Sequence, residues 1–234
     1  MTRLLSAGSW SVVALLLGLS ALGCTPGGVG DPCTPEDEYQ QNFNGFQVTE
    51  TNVESRSFQC ETRLCLVNHF QGRVSCRLGQ SAASGAPWLD PGTKPKPTQP
   101  NTDWKPQCSI PGTAVDRGPD DEAAQTGRYS PDNINVEVKP QLTKRQTEKA
   151  VYCSCRCDGP DKNARYCECP EGFQCEPVVQ DLKITEGAGQ LAGSYCIRAG
   201  SKYDPNASTV DTCLDNPAAC GCDKDPMPAE CGTK

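Results

Sequence analysis

Apolar positions are sparse along this chain and fall into a few distinct patterns. The first is a run near the start, where Val12, Val13, Ala14, Leu15, Leu16, Leu17, Gly18 and Leu19 follow a single basic residue, Arg3, and lead into small residues up to Gly23. A charged start, an apolar stretch too short to span a bilayer comfortably and a small-residue end predict a cleaved export signal over 1–23. No later apolar segment approaches the ~20 residues that a membrane helix needs. The second pattern is alternation: Ile134, Val136 and Val138 are separated by Asn135, Glu137 and Lys139, which predicts a half-buried strand. Residues 143–151 predict at most one short helix, and nothing predicts a long amphipathic one. The remainder reads as small strands and loops.

Cysteine and proline divide the chain more clearly than hydropathy does. A Gly- and Pro-containing tether over 24–32 is followed by a four-cysteine region, 33–78, with Cys33, Cys60, Cys65 and Cys76. Residues 79–107 hold six prolines and no cysteine and predict a semi-rigid extended linker, with Trp88 and Trp104 as candidate docking points. A twelve-cysteine region fills 108–234. The expected fold class is therefore small and disulfide-rich, mainly β and loop, with two cysteine-knit modules joined by the Pro-rich linker.

Composition shows why sulfur is needed. From Cys24 onward there are eight Leu, twelve Val, four Ile and five Phe, 29 of 211 residues. That is below the roughly 20% at which a charged chain begins to resemble a disordered one. Apolar burial alone does not offset the ordering entropy of such a chain, whereas a disulfide typically contributes ~2–4 kcal/mol. Cys153, Cys155 and Cys157 share one face of a strand if extended, as do Cys167 and Cys169. An antiparallel hairpin closing around 158–164 sets Cys157 opposite Cys167, Cys155 opposite Cys169, and Arg156 opposite Glu168, and so predicts the bridges Cys157–Cys167 and Cys155–Cys169.

Seventeen cysteines is an odd count for an exported protein. Ser20-Ala21-Leu22-Gly23-Cys24 resolves the parity, because it resembles the lipobox of bacterial lipoproteins. There the cysteine sulfur is alkylated with diacylglycerol, and the chain is cut in front of it. Ala21 stands where Leu is commoner. Lipidation at Cys24 leaves sixteen cysteines for eight bridges, and two or three acyl chains give stable anchoring where one would not. Thr25 rather than Asp after the cysteine resembles the lipoproteins that are sent on to the outer membrane.

Charge and motifs narrow the chemistry further. After residue 23 the chain keeps 21 Lys and Arg against 29 Asp and Glu, a net charge of −8. This argues against nucleic acid and against a basic patch gripping anionic lipid. The single histidine, His69, is the one side chain with an ordinary pKa near neutrality, and no thiol is left over to pair with it. There is no Gly-x-Ser-x-Gly elbow, phosphate-binding glycine loop, His-Glu-x-x-His helix or Asp-x-Asp-x-Asp-Gly calcium loop. The close runs Cys153-x-Cys155-x-Cys157, Cys167-x-Cys169 and Cys220-x-Cys222 favour disulfides over a metal cluster, because exported thiols are oxidised and zinc-ribbon Cys-x-x-Cys spacing is absent. Asn206-Ala207-Ser208 has the glycosylation pattern and reads as a turn. No catalytic residue, cofactor, metal or small-molecule substrate is expected.

Cys167-Glu168-Cys169-Pro170-Glu171-Gly172-Phe173-Gln174-Cys175 resembles the tail of an epidermal-growth-factor-like module, with a final spacing shorter than that family uses. The stretch from Cys60 to Cys76, preceded by Gly30-Asp31-Pro32-Cys33 and taken with the lipobox and Cys153-Ser154-Cys155-Arg156-Cys157, resembles cysteine-rich outer-membrane lipoproteins of myxobacteria, of the adventurous gliding motility type. The resemblance implies a non-enzymatic accessory protein of the cell envelope, held to the membrane through its N-terminal lipid and working with other envelope proteins. The alternative is an extracellular binding module or an inhibitor of an exported enzyme. An exported hydrolase would need a pair of acids in a formed cleft.

Overall fold

The computed structural model describes residues 26–80, 108–112, 134, 136–180, 191–204, 211–224 and 231. Cys24, the 81–107 part of the predicted linker with Trp88 and Trp104, and Asn206–Ser208 lie outside them.

Six short strands form two three-stranded antiparallel sheets. In the first, β1 (Thr51–Glu54), β2 (Leu64–Asn68) and β3 (Val151–Ser154) lie in the order β1-β2-β3. Leu64-Cys65-Leu66-Val67 is an unbroken apolar run, the signature of a strand covered on both faces. Its hydrogen-bonding edges are taken by β1 and β3, with Cys65 opposite Cys153 and Leu66 opposite Tyr152 across the β2–β3 pair. The free edge of β3 is taken by the segment just before Cys33. The Gly30 amide donates to the Cys153 carbonyl (2.8 Å), the Cys153 amide to the Asp31 carbonyl (2.8 Å), and Pro32 bridges Tyr152.

The chain changes sheet at Cys155. Beyond it, β4 (Arg156–Asp158) pairs with β6 (Gly193–Arg198), whose other edge carries β5 (Phe173–Val179). The sheets pack through Leu66 and Tyr152 on one side and Ile197, Phe173 and Val178 on the other. Tyr152 and Phe173 meet edge to face at 5.6 Å. On the far side of β2, Cys65 and Val67 join Phe46, Phe70, Ala150, Val151 and the bridges Cys33–Cys65 and Cys60–Cys153 in a second apolar cluster.

The fold class is the expected one, with small antiparallel sheets, loops and disulfides. The division into two modules is corrected. Residues 33–78 do not close on themselves: Cys60 bridges Cys153, Cys76 bridges Cys108, and β2 pairs with β3 from the twelve-cysteine region. A two-faced strand in so small a segment exposes one apolar side unless a distant strand covers it. The linker boundary moves too. Gly79 and Gln80 are packed, with Gln80 and Val138 exchanging both backbone hydrogen bonds, 2.8 and 2.9 Å. Gly79, at φ +67°, lies so close to residues 138–140 that a Cβ there would sit 2.5 Å from the Val138 carbonyl oxygen.

The predicted strand over 134–138 keeps its burial pattern, with Ile134 and Val138 buried and Glu137 exposed, but the described part makes a single bridge and not a regular ladder. The short helix is one turn, α1 (Thr147–Ala150), running straight into β3. Among the described residues no helix is long and apolar enough to cross a membrane.

The expected hairpin around 158–164 is also corrected. Residues 165–170 take no strand, and the bridges are Cys155–Cys167, Cys157–Cys175 and Cys169–Cys196 instead of Cys157–Cys167 and Cys155–Cys169. The two segments do approach, since the Cys167 amide donates to the Arg156 carbonyl (3.1 Å), one position from the expected register. The ladder goes to β6, where Tyr195 stands opposite Arg156. Tyr195, Cys196 and Ile197 are buried, so pairing β4 with β6 buries more apolar surface than a local hairpin of polar residues would. The pairs Cys213–Cys220 and Cys222–Cys231 close a terminal cluster that packs on Leu78.

Candidate functional site

A buried ion pair ties the segment before β1 to the loop after β2. The 3₁₀ turn Glu36–Tyr39 places Glu38 inward, where it is 0% exposed, and Arg73 opposite it is likewise 0% exposed. Arg73 Nη1 donates to the Gln40 and Phe43 carbonyls, and Nη2 to that of Glu38. Glu38 accepts from the Val74 amide (2.8 Å) and the Ser75 hydroxyl (2.8 Å). Burial pushes the Glu38 carboxyl above its ordinary range, against the pull of Arg73 and these donors. Every polar atom of the pair is occupied with structure, which leaves it no chemistry to offer a ligand.

His69 lies at one mouth of the space between the two sheets. It follows β2 directly in a left-handed conformation, φ +49°, and its ring stacks on Tyr203 at 4.3 Å. Its Nδ1 sits 2.9 Å from the Val48 carbonyl oxygen. A carbonyl only accepts, so Nδ1 carries the proton and Nε2 keeps its lone pair. Burial and the nearby Arg145 charge lower its pKa, against the Val48 bond, which favours the neutral ring at neutral pH. Arg145 fixes this corner by donating to the carbonyls of Asn68 (2.7 Å), His69 (2.6 Å) and Ser201 (3.0 Å). The cleft beside them has a volume of about 230 Å³ and is lined by His69, Tyr203, Lys202, Glu176, Gln174 and Ile197, among others. A second hollow of about 370 Å³ is acidic, with Glu36, Asp37 and Glu54. Burial raises the Glu54 carboxyl, and the Glu36 amide holds it with a 3.0 Å bond.

Three groups of sulfurs, two of them sharing Cys196, gather what the sequence scatters. Cys33, Cys60 and Cys153 have sulfurs within 4.8 Å of one another, as do Cys155, Cys167 and Cys196, and Cys157, Cys169 and Cys196. Each of these sulfurs is already bonded to another, so none presents the thiolate that a metal needs. All sixteen cysteines from Cys33 to Cys231 are consumed in eight bridges.

No protein-family model, curated protein or solved structure matches this chain significantly.

One further arrangement concerns the N-terminal end. Gly27 enters the fold beside the β1–β2 loop. Its amide donates to the Gln59 carbonyl (2.7 Å), and its carbonyl accepts from the Glu61 amide (2.9 Å). That loop exposes Phe58, 82% accessible, with the Arg63 guanidinium 4.5 Å above its ring. Neither Phe58 nor the corner formed by Tyr203 and Arg145 was foreseen from sequence. The only local signal for Phe58 is a lone aromatic among Arg56, Ser57 and Gln59.

Proposed function

We propose that this protein is a lipid-anchored component of the bacterial cell envelope, acylated at Cys24, exported to the outer membrane and acting through contacts with other envelope proteins and not as an enzyme. The observation that carries the reading is the fate of the cysteines. Eight bridges use every cysteine after Cys24, so the residue that completes the lipobox is the one with no partner among them. A bridge-dense fold fits an oxidising compartment and would be lost in a reducing one.

The resemblance to adventurous gliding motility lipoproteins makes gliding the process we assign. The test combines labelling and genetics. Cells fed a palmitate analogue should incorporate it into the wild-type protein and not into a Cys24→Ala form, and deletion of the gene should impair gliding. If an unlipidated, exported form restored movement fully, the anchored reading would fail.

The cleft beside His69 favours a second reading, a module that binds an extracellular ligand. In that case the isolated ectodomain, starting after Cys24, should hold its target alone, and Tyr203→Ala should abolish binding while the fold persists.

A further inference from the structure

We infer that the β1–β2 loop is a membrane-contacting element, in which Phe58 enters the headgroup–acyl boundary of a phospholipid bilayer while Arg56 and Arg63 bind lipid phosphates. The inference rests on the lipid anchor at Cys24 and adds to it an orientation of the folded part.

Covalent geometry carries the first step. Three Cα–Cα steps separate Cys24 from Gly27, so the acylated residue lies at most about 11 Å from Gly27, whatever path the chain takes. Gly27 is held in place by two backbone bonds to the loop, through Gln59 and Glu61, and bridges Cys60 in parallel fashion. Cys60 in turn is bonded to Cys153 of β3. An acyl chain inserted from Cys24 therefore draws this loop to within a headgroup layer of the lipid.

The loop has the chemistry for that place. A single exposed hydrophobic side chain is ordinary on a protein surface and means little alone. Phe58, however, stands between two buried residues, Ser57 and Cys60 being 3% and 1% exposed, so the tip is presented by a fixed backbone. The turn is closed by the Ser57 amide on the Arg63 carbonyl (3.1 Å) and the Arg63 amide on the Cys60 carbonyl (3.0 Å). Arg56 and Arg63 are both exposed, and neither is in an ion pair among the described residues. Arg63 lies over the Phe58 ring, which keeps a cation beside the exposed apolar group. Glu61 on the same turn is exposed as well, and so is Asp31 beside Gly27, whose carboxylate accepts from the Gly28 amide, so the two guanidinium groups are matched in number by two carboxylates there. The chain as a whole stays acidic. Its affinity for membrane comes from the acyl chains, and the loop sets which side faces the lipid.

The test uses the full lipoprotein, purified from membranes and reconstituted in vesicles of phosphatidylethanolamine and phosphatidylglycerol, with and without bromine on the acyl chains. Phe58→Trp should add emission that is blue-shifted and quenched by the brominated lipid, measured as a difference from the unsubstituted chain. Leu214→Trp, at an exposed site in the Cys213–Cys220 loop, should add emission that bromine leaves unchanged. Adding Arg56→Gln and Arg63→Gln to Phe58→Trp should weaken the quenching without detaching the protein. Mass spectrometry of the N-terminal peptide from the same sample separates the two ways to fail. Acyl groups on Cys24 with no quenching at position 58 would overturn the inference and leave the anchor standing, whereas an unmodified Cys24 would overturn both.

Discussion

Arg73 and Glu38 face each other with no access to water, and their value lies in being paired. A buried ion pair that loses one member leaves a charge without compensation, at a cost of about 3–5 kcal/mol. Arg73→Met should therefore lower the denaturant midpoint sharply, while Glu38→Gln/Arg73→Met should recover much of the loss. Denaturant titration of the oxidised protein measures both. His69 gives a prediction in pH. Its folded pKa lies below the ordinary 6.5, so the unfolded chain binds the proton more readily. The stability owed to this residue is fully present above pH 6.5 and is lost as pH falls through the folded value. His69→Asn, which tolerates the left-handed backbone, should flatten that dependence, as thermal melts of the two forms from neutral into acid pH would show.

At the scale of elements, the bridges differ in what they constrain. Cys60 and Cys153 are 93 residues apart and Cys213 and Cys220 only 7. On chain-entropy grounds a lone bridge closing the first contributes about 4–5 kcal/mol and the second about 2–2.5. Paired serine substitutions should preserve that order, with Cys60→Ser/Cys153→Ser the more damaging, as read by unfolding midpoints. Peptide mapping without reduction should recover Cys155–Cys167, Cys157–Cys175 and Cys169–Cys196. The alternation of Cys153, Cys155 and Cys157 was legible in the sequence, as was the apolar alternation at 134–138, because both are local. Their partners were not. β6 reaches β4 across some 40 residues, and its hold on the first sheet comes from Ile197 finding Leu66 and Tyr152, a choice that no spacing rule encodes.

For the whole molecule, the even count of cysteines after Cys24 was the most informative feature of the chain, since it predicts a fold that bridges finish without a spare thiol. The partition into two modules was not legible, because Leu64–Val67 reads as a strand wherever its second face is covered. The two sheets share one apolar cluster, so reduction should unfold the molecule as one unit. Dithiothreitol should abolish the near-ultraviolet circular dichroism of both sheets together, whereas separate modules would give two steps.

The crossing of Cys33–Cys65 and Cys60–Cys153 also bears on biosynthesis. In a polypeptide delivered N-terminus first to an oxidising space, Cys33, Cys60, Cys65 and Cys76 arrive while Cys153 is still behind the translocon. Oxidation in order of arrival joins Cys33 to Cys60, which is the wrong couple. Reaching the native set then requires thiol exchange after Cys153 emerges, so a strain lacking its disulfide isomerase should accumulate this protein in scrambled, protease-sensitive form.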